Sequence, residues 1–204
     1  VGYLDKLIPS LVAIPQGEEV GERSRLLAET YLRLTPPDIK KARDELTTYL
    51  SGSYRGNPAT AARMKLTLAD LCTQLHEPEK TRAWLKEIGT AAPAEMQAMA
   101  KVQLARLAAA DGKWDEAVKL FAAAQAIPGL PADQLGMIRY ETGRCLVSLK
   151  NPAEAMAYFK QAAGSGGPAA VASSIELAKW SSQDPEGKGH RAVSAEYLEK
   201  VADT

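Results

Sequence analysis

The sequence is poor in the residues that form disulfides and metal sites. Its 204 residues include only two cysteines and two histidines. Cys72 and Cys145 lie far apart and form no Cys-x-x-Cys pair, which argues against a disulfide framework and a zinc site. His76 and His190 have no second histidine or glutamate at the spacing that a catalytic metal needs. We therefore expect neither a metal nor a cofactor.

Net charge and long apolar runs are also lacking. The 25 Lys and Arg residues balance the 25 Asp and Glu residues, and the sequence pI is about 6.9. Such a chain has no long-range field to hold a polyanion, so we expect no nucleic-acid partner. The longest apolar stretches, such as 11–14 and 118–127, fall below the roughly 18 residues of a membrane helix. We expect no membrane insertion in this segment.

The chain begins with Val1, and the residues that follow are amphipathic and unlike a signal peptide. This start indicates an excerpt of a longer or processed protein. We expect a soluble segment of a bacterial protein, and its compartment, cytoplasm or periplasm, stays open.

Alanine and leucine are abundant, β-branched residues are sparse and aromatics make up only 6% of the chain, which favours helix throughout. Near the start, apolar residues from Leu4 to Val12 recur with the spacing of a one-sided helix. Pro9 either kinks this helix or splits it. Glycine- and proline-rich breakers divide the remainder into helices that pair as hairpins. The predicted fold class is all-α.

Two sets of small residues recur along the chain. The first set lies in the first helix of each hairpin, at Ala28, Ala69, Ala105, Gly143 and Ala178. The second lies early in the second helix, at Ala42, Thr81, Ala117, Ala155 and Ser194, and its members are 39, 36, 38 and 39 residues apart. Four residues beyond each member of the second set comes a bulky one, at Leu46, Leu85, Phe121, Phe159 and Leu198. Small side chains let two helices approach closely, and the bulky ones fill the space toward the next hairpin.

The segment 112–124 places Gly, an aromatic residue, Glu-Ala, Phe and Ala in the order typical of the second tetratricopeptide helix, and 149–162 is similar. The chain thus resembles a tetratricopeptide repeat protein over about residues 20–204, most strongly at 94–163. The first-helix tryptophan of that family is absent, and its tyrosine survives only as Tyr31. The related Sel1-like repeats and a HEAT-like array are the structural alternatives.

The resemblance implies a right-handed α-solenoid of about five antiparallel helical hairpins. We expect one array over residues 1–204, with an N-terminal helix in 1–15. The expected repeats are 18–52, 57–91, 94–127, 131–164 and 168–204.

By the same resemblance, the first helices line a concave face. Counting from their small residues predicts a ladder of cations beside an apolar strip. The ladder is Arg106, Arg144 and Lys179, and the strip is Met99, Val102, Met137 and Tyr140. This pattern suits an extended ligand that carries carboxylates and apolar side chains. Alternatively, Glu141 with Arg144 and Glu176 with Lys179 are i, i+3 pairs on a solvated helix face.

Tetratricopeptide proteins mostly bind peptides or partner proteins, so the expected function is a non-catalytic interaction scaffold. The Lys and Asn positions of the clamp that binds chaperone tails are missing. Self-assembly into a homo-oligomer through the terminal hairpins is one alternative. Another is the regulatory repeat domain of a larger protein, enzymatic or membrane-anchored. The cysteines and Trp84, Trp114 and Trp180 are interpreted as packing residues.

Overall fold

The computed structural model describes residues 4–13, 20–51 and 57–182. Within these ranges the chain forms ten α-helices and no β-strand. The helices are α1 (Leu4–Val12), α2 (Val20–Arg33), α3 (Ile39–Ser51), α4 (Pro58–Gln74), α5 (Pro78–Lys86), α6 (Ala94–Ala110), α7 (Trp114–Gln125), α8 (Ala132–Ser148), α9 (Pro152–Ala163) and α10 (Gly167–Ser182). The all-α prediction is confirmed, and α1 runs through Pro9 as one helix.

The helices after α1 follow one another in pairs. The pairs α2–α3, α4–α5, α6–α7 and α8–α9 cover residues 20–51, 58–86, 94–125 and 132–163, and the repeat bounds 18–52, 57–91, 94–127 and 131–164 stay predictions. Helix α10 begins one residue before the predicted start at 168. Ser194, Leu198 and His190 lie outside the described residues.

Proline and asparagine fix several helix starts. Pro58, Pro78 and Pro152 each occupy the first helical position, where the missing N–H costs no hydrogen bond. The Asn57 side chain accepts a hydrogen bond from the Ala59 N–H at 2.9 Å. These caps satisfy donors that a helix start would otherwise leave unpaired.

Three hairpin turns share one backbone geometry. Each contains a residue with positive φ, namely His76 (57°), Gly112 (75°) and Lys150 (58°). In each turn the next N–H donates to the carbonyl five residues earlier, and the pairs are Glu77–Cys72 (2.8 Å), Lys113–Ala108 (2.9 Å) and Asn151–Leu146 (2.9 Å). This is the Schellman ending of a helix. It reverses the chain between the first and second helix of each of these hairpins.

The chain divides into two compact units, residues 1–100 and 101–204. In the first unit, α1 to α5 pack in succession, each on the next. Leu27, Leu46 and Leu68 form part of its core. Arg43 of α3 donates to both carboxylate oxygens of Glu77 at 2.7 Å, which ties α3 to the start of α5.

In the second unit, α7 packs on α8, α8 on α9, and α10 on both α8 and α9. Leu146, Ala155, Phe159 and Leu177 form one of its core clusters. Gly143 lets the Phe159 ring approach the backbone of α8, because a Cβ at this position would lie 2.6 Å from Phe159 Cε1. Helices α8 and α9 therefore pack closely at Gly143, and this packing fixes the position of the α8 surface.

The small residues that mark the repeat are buried. This holds for all members of both sets that fall within the described residues, and Ala69, Ala105, Ala117 and Ala155 have no exposed surface. The bulky members Phe121 and Phe159 are each 1% exposed. These buried positions form contacts between helices. A binding surface must therefore come from residues that neighbour them in the sequence.

Candidate functional site

The second unit contains a groove of about 500 Å³. Its charged lining residues are Arg106 of α6, Glu141 and Arg144 of α8, and Glu176 of α10. Its other lining residues are Ala109, Ala110, Trp114, Phe121, Cys145, Val147, Ser148 and Phe159. We refer to this cavity as the groove. It combines a few charged groups with a largely apolar wall, which is the usual composition of a binding site.

Arg106 is bound by a carboxylate of the neighbouring first helix. Its Nε donates to both carboxylate oxygens of Glu141, at 3.0 and 2.9 Å, and its Nη2 donates to Glu141 Oε1. These hydrogen bonds raise the pKa of Arg106 above its ordinary value. The Glu141 side chain is only 17% exposed, against 52% for Arg106. The pair therefore joins α6 to α8 and neutralises one side of the groove.

Arg144 has a different environment. Its guanidinium carbon lies 6.0 Å from the ring centroid of Tyr140, one turn earlier on α8, within the range of a cation–π contact. The Tyr140 ring is in turn 5.9 Å from that of Phe159, with 46° between their planes. In residues 4–13, 20–51 and 57–182 no carboxylate forms an ion pair with Arg144, an exposed side chain. The groove thus has one guanidinium that rests on an aromatic ring and faces solvent.

The third predicted cation, Lys179, donates to Glu176 Oε1 at 2.9 Å, as the i, i+3 alternative expects. The corresponding pair of Glu141 with Arg144 does not form. Glu141 binds Arg106 instead, because the arginine side chain reaches it with two nitrogens from the adjacent helix. The ladder of three cations therefore reduces to one guanidinium without an acidic partner in the described part of the chain.

The groove lies one helical turn beyond the predicted apolar strip. Met99, in the first unit, is 43% exposed, and Val102, Met137 and Tyr140 are partly buried. None of these four lines the groove. Its apolar lining comes from the positions four and five residues after the small marker, Ala109 and Ala110 on α6 and Val147 on α8, together with Trp114. Counting from the small marker residues would identify these positions in the sequence. Val147 is the clearest case, because it is a large apolar residue that is 39% exposed.

The cysteines are buried free thiols, as expected of packing residues. Burial raises the pKa of the Cys145 thiol, and the negative charge of Glu141 adds to this effect. A raised pKa keeps the thiol protonated, and such a thiol is a poor nucleophile. In the described residues, no group of three or more His, Cys, Asp and Glu side chains is placed to hold a metal ion.

Comparison with known proteins gives a family match. A family model described as a tetratricopeptide repeat-like domain matches residues 22–179. No curated protein matches the sequence significantly. Among the helices of the described ranges, none has both the length and the hydrophobicity that crossing a bilayer requires.

Several solved structures share the fold. MamA superposes with a TM-score of 0.63 at 18% identity, over 80% of this chain and 89% of MamA. The nearly identical repeats of a putative kinesin light chain from Podosopora anserina give 0.64 at 20% identity, over 92% of this chain and 96% of theirs. YrrB, a tetratricopeptide repeat protein with an unusual peptide-binding site, gives 0.59 at 16% identity, over 80% and 78%. These likenesses confirm the fold class and the resemblance that the sequence repeat predicted.

Proposed function

The chain belongs to the tetratricopeptide repeat-like family, and from this premise we propose that it is a non-catalytic scaffold that binds an extended segment of another protein. Stacked helical hairpins commonly present such binding surfaces. The peptide-binding site of YrrB is a precedent within the same fold. The binding site that we propose is the groove of the second unit.

One observation carries this assignment to the groove. Arg144 presents an exposed guanidinium that Tyr140 supports from one side, beside the apolar surface of Trp114 and Val147. A guanidinium binds a carboxylate through two parallel hydrogen bonds. Aromatic and aliphatic walls gain from covering an apolar side chain. The proposed ligand is therefore a peptide segment in which an acidic side chain lies close to an apolar one.

A selection from a random peptide library tests the proposal, and it requires no identified partner. Peptides of twelve residues, displayed on phage, are selected on the purified chain. Those that enrich are synthesised with a fluorescent label, and their binding is measured by anisotropy. We expect enriched sequences to combine an acidic residue with an aromatic or aliphatic one.

Matched variants then locate the site. Arg144→Ala should lower the affinity for an enriched peptide about five- to tenfold, because it removes a charge-assisted hydrogen-bonding group that is partly enclosed by the groove. Arg63→Ala removes an exposed arginine of α4, in the other unit, and should leave the affinity unchanged. Equal effects of the two variants would place binding elsewhere. Failure of any peptide to enrich on the folded chain would contradict the proposed function.

A further inference from the structure

Two glutamates occupy the same register position in neighbouring first helices of the second unit. Glu141 lies two residues before Gly143 on α8, and Glu176 lies two residues before Ala178 on α10. Both line the groove. Glu141 binds Arg106 of the preceding helix, whereas Glu176 binds Lys179 of its own helix. The same carboxylate position is thus used in two different ways.

We propose that Glu141 sets the charge selectivity of the groove: it occupies Arg106 in place of a ligand carboxylate, so that a bound peptide is held through a single acidic side chain at Arg144. This inference rests on the proposed function. It makes Glu141 a specificity-determining residue, which acts on the ligand through Arg106.

The hydrogen bonds of Arg106 support this role. Its Nε and Nη2 both donate to Glu141, which occupies one of the two edges at which a guanidinium can bind a carboxylate through two hydrogen bonds. A ligand carboxylate that approached Arg106 would also lie beside that of Glu141, and like charges at such distances repel. A ligand with two acidic side chains is therefore disfavoured at Arg106. The groove discriminates against such a ligand by charge repulsion, and not by extra contacts with the preferred ligand.

Lys179 contributes to the same arrangement. It binds Glu176, and in the described residues no ion pair joins this carboxylate to Arg144, although both residues line the groove. Arg144 thus stays open to a ligand.

The test compares peptide selections on the wild-type chain, on Glu141→Gln and on the control Glu116→Gln, which alters an exposed glutamate of α7 outside the groove lining. We expect peptides with one acidic residue beside the apolar one from the wild type and the control. From Glu141→Gln we expect peptides with two acidic residues, because the charge of Arg106 is then no longer neutralised and no carboxylate repels a second acidic side chain. A two-acid peptide should bind Glu141→Gln about three- to fivefold more tightly than the wild type, the range for a partly exposed ion pair.

Two further variants separate this role from a structural one. In Arg106→Gln/Glu141→Gln the second guanidinium is gone, so the preference should return to one acidic residue. In Lys179→Gln the released Glu176 can pair with Arg144, so the one-acid peptide should bind about three- to fivefold more weakly. A change confined to the stability of the fold would produce neither pattern.

The outcomes distinguish the inference from its premise. Enrichment of one-acid peptides on the wild type and equally on folded Glu141→Gln would overturn the role of Glu141 and leave the proposed function standing. Enrichment of two-acid peptides on the wild type would do the same. Absence of enrichment on all of these proteins, with their helical circular dichroism spectra intact, would overturn both.

Discussion

Replacement of Gly143 by alanine should destabilise the second unit. A Cβ at this position would lie 2.6, 2.8 and 3.0 Å from the Cε1, Cδ1 and Cζ atoms of Phe159. The Phe159 ring is 1% exposed, and Tyr140 packs near it. It has little room to retreat, so either the ring or the helix backbone must shift.

Two terms of opposite sign set the magnitude. Overpacking of a filled core costs about 1–3 kcal/mol, while alanine gains up to about 1 kcal/mol over glycine in a helix interior. We expect Gly143→Ala to lower the free energy of unfolding by about 1–2 kcal/mol. In a chain of this length that corresponds to a fall in Tm of roughly 2–8 °C. Urea and thermal unfolding, followed by circular dichroism, measure both quantities.

Gly164→Ala is the matched control. Gly164 caps the end of α9 at φ −84°, and a Cβ there would have its nearest neighbour, the Gln161 carbonyl oxygen, at 3.7 Å. This control should change the free energy of unfolding by less than about 0.5 kcal/mol. Phe159→Leu should cost at least about 0.5 kcal/mol less in the Gly143→Ala background than alone. Additive effects, or a Gly143→Ala variant as stable as the wild type, would refute the close approach.

Two other predictions concern packing and pH. Ala117→Leu overfills a position with no exposed surface, so it should lower the free energy of unfolding in urea by about 1–3 kcal/mol. The control Ala122→Leu changes an exposed position of the same helix and should be nearly neutral. Equal losses for the two variants would contradict the repeat register. Hydrogen bonds from Arg43 and Lys80 lower the pKa of Glu77 below its ordinary value of 4.5, so its stabilising effect is present above that value and is lost as the pH falls. Glu77→Gln should therefore reduce the loss of stability between about pH 5 and pH 3, and an unchanged slope would show that this carboxylate is not coupled to folding.

Much of the fold follows from local sequence signals. Proline at the start of a helix, as at Pro78 and Pro152, and small residues at a regular spacing predict the hairpins directly. The backbone of two turns is less visible, because His76 and Lys150 adopt positive φ without being glycine. The backbone hydrogen bonds that close each Schellman turn hold these residues in this conformation against their intrinsic preference.

The charged side of the groove was predicted only in part. The sequence places Arg106 and Arg144 on one face, but a single helix suggests only pairs three or four residues apart. The bond from Arg106 to Glu141 spans 35 residues, and it depends on how two neighbouring first helices align. Packing between hairpins determines that alignment. The residue spacing within a single helix gives no information about it.

The residues that break the repeat decide which cation stays open. Arg106 and Arg144 both follow a small marker by one residue, and Glu141 and Glu176 both precede one by two, so the backbone alone would give two equivalent ion pairs. At the position three residues before the marker, α8 has Tyr140, whereas α6 and α10 have Val102 and Ile175. Only at α8, among these three helices, can an aromatic ring support the guanidinium and replace a carboxylate as its partner. The proposed selectivity of the groove thus combines a residue that follows the repeat, Glu141, with one that departs from it, Tyr140.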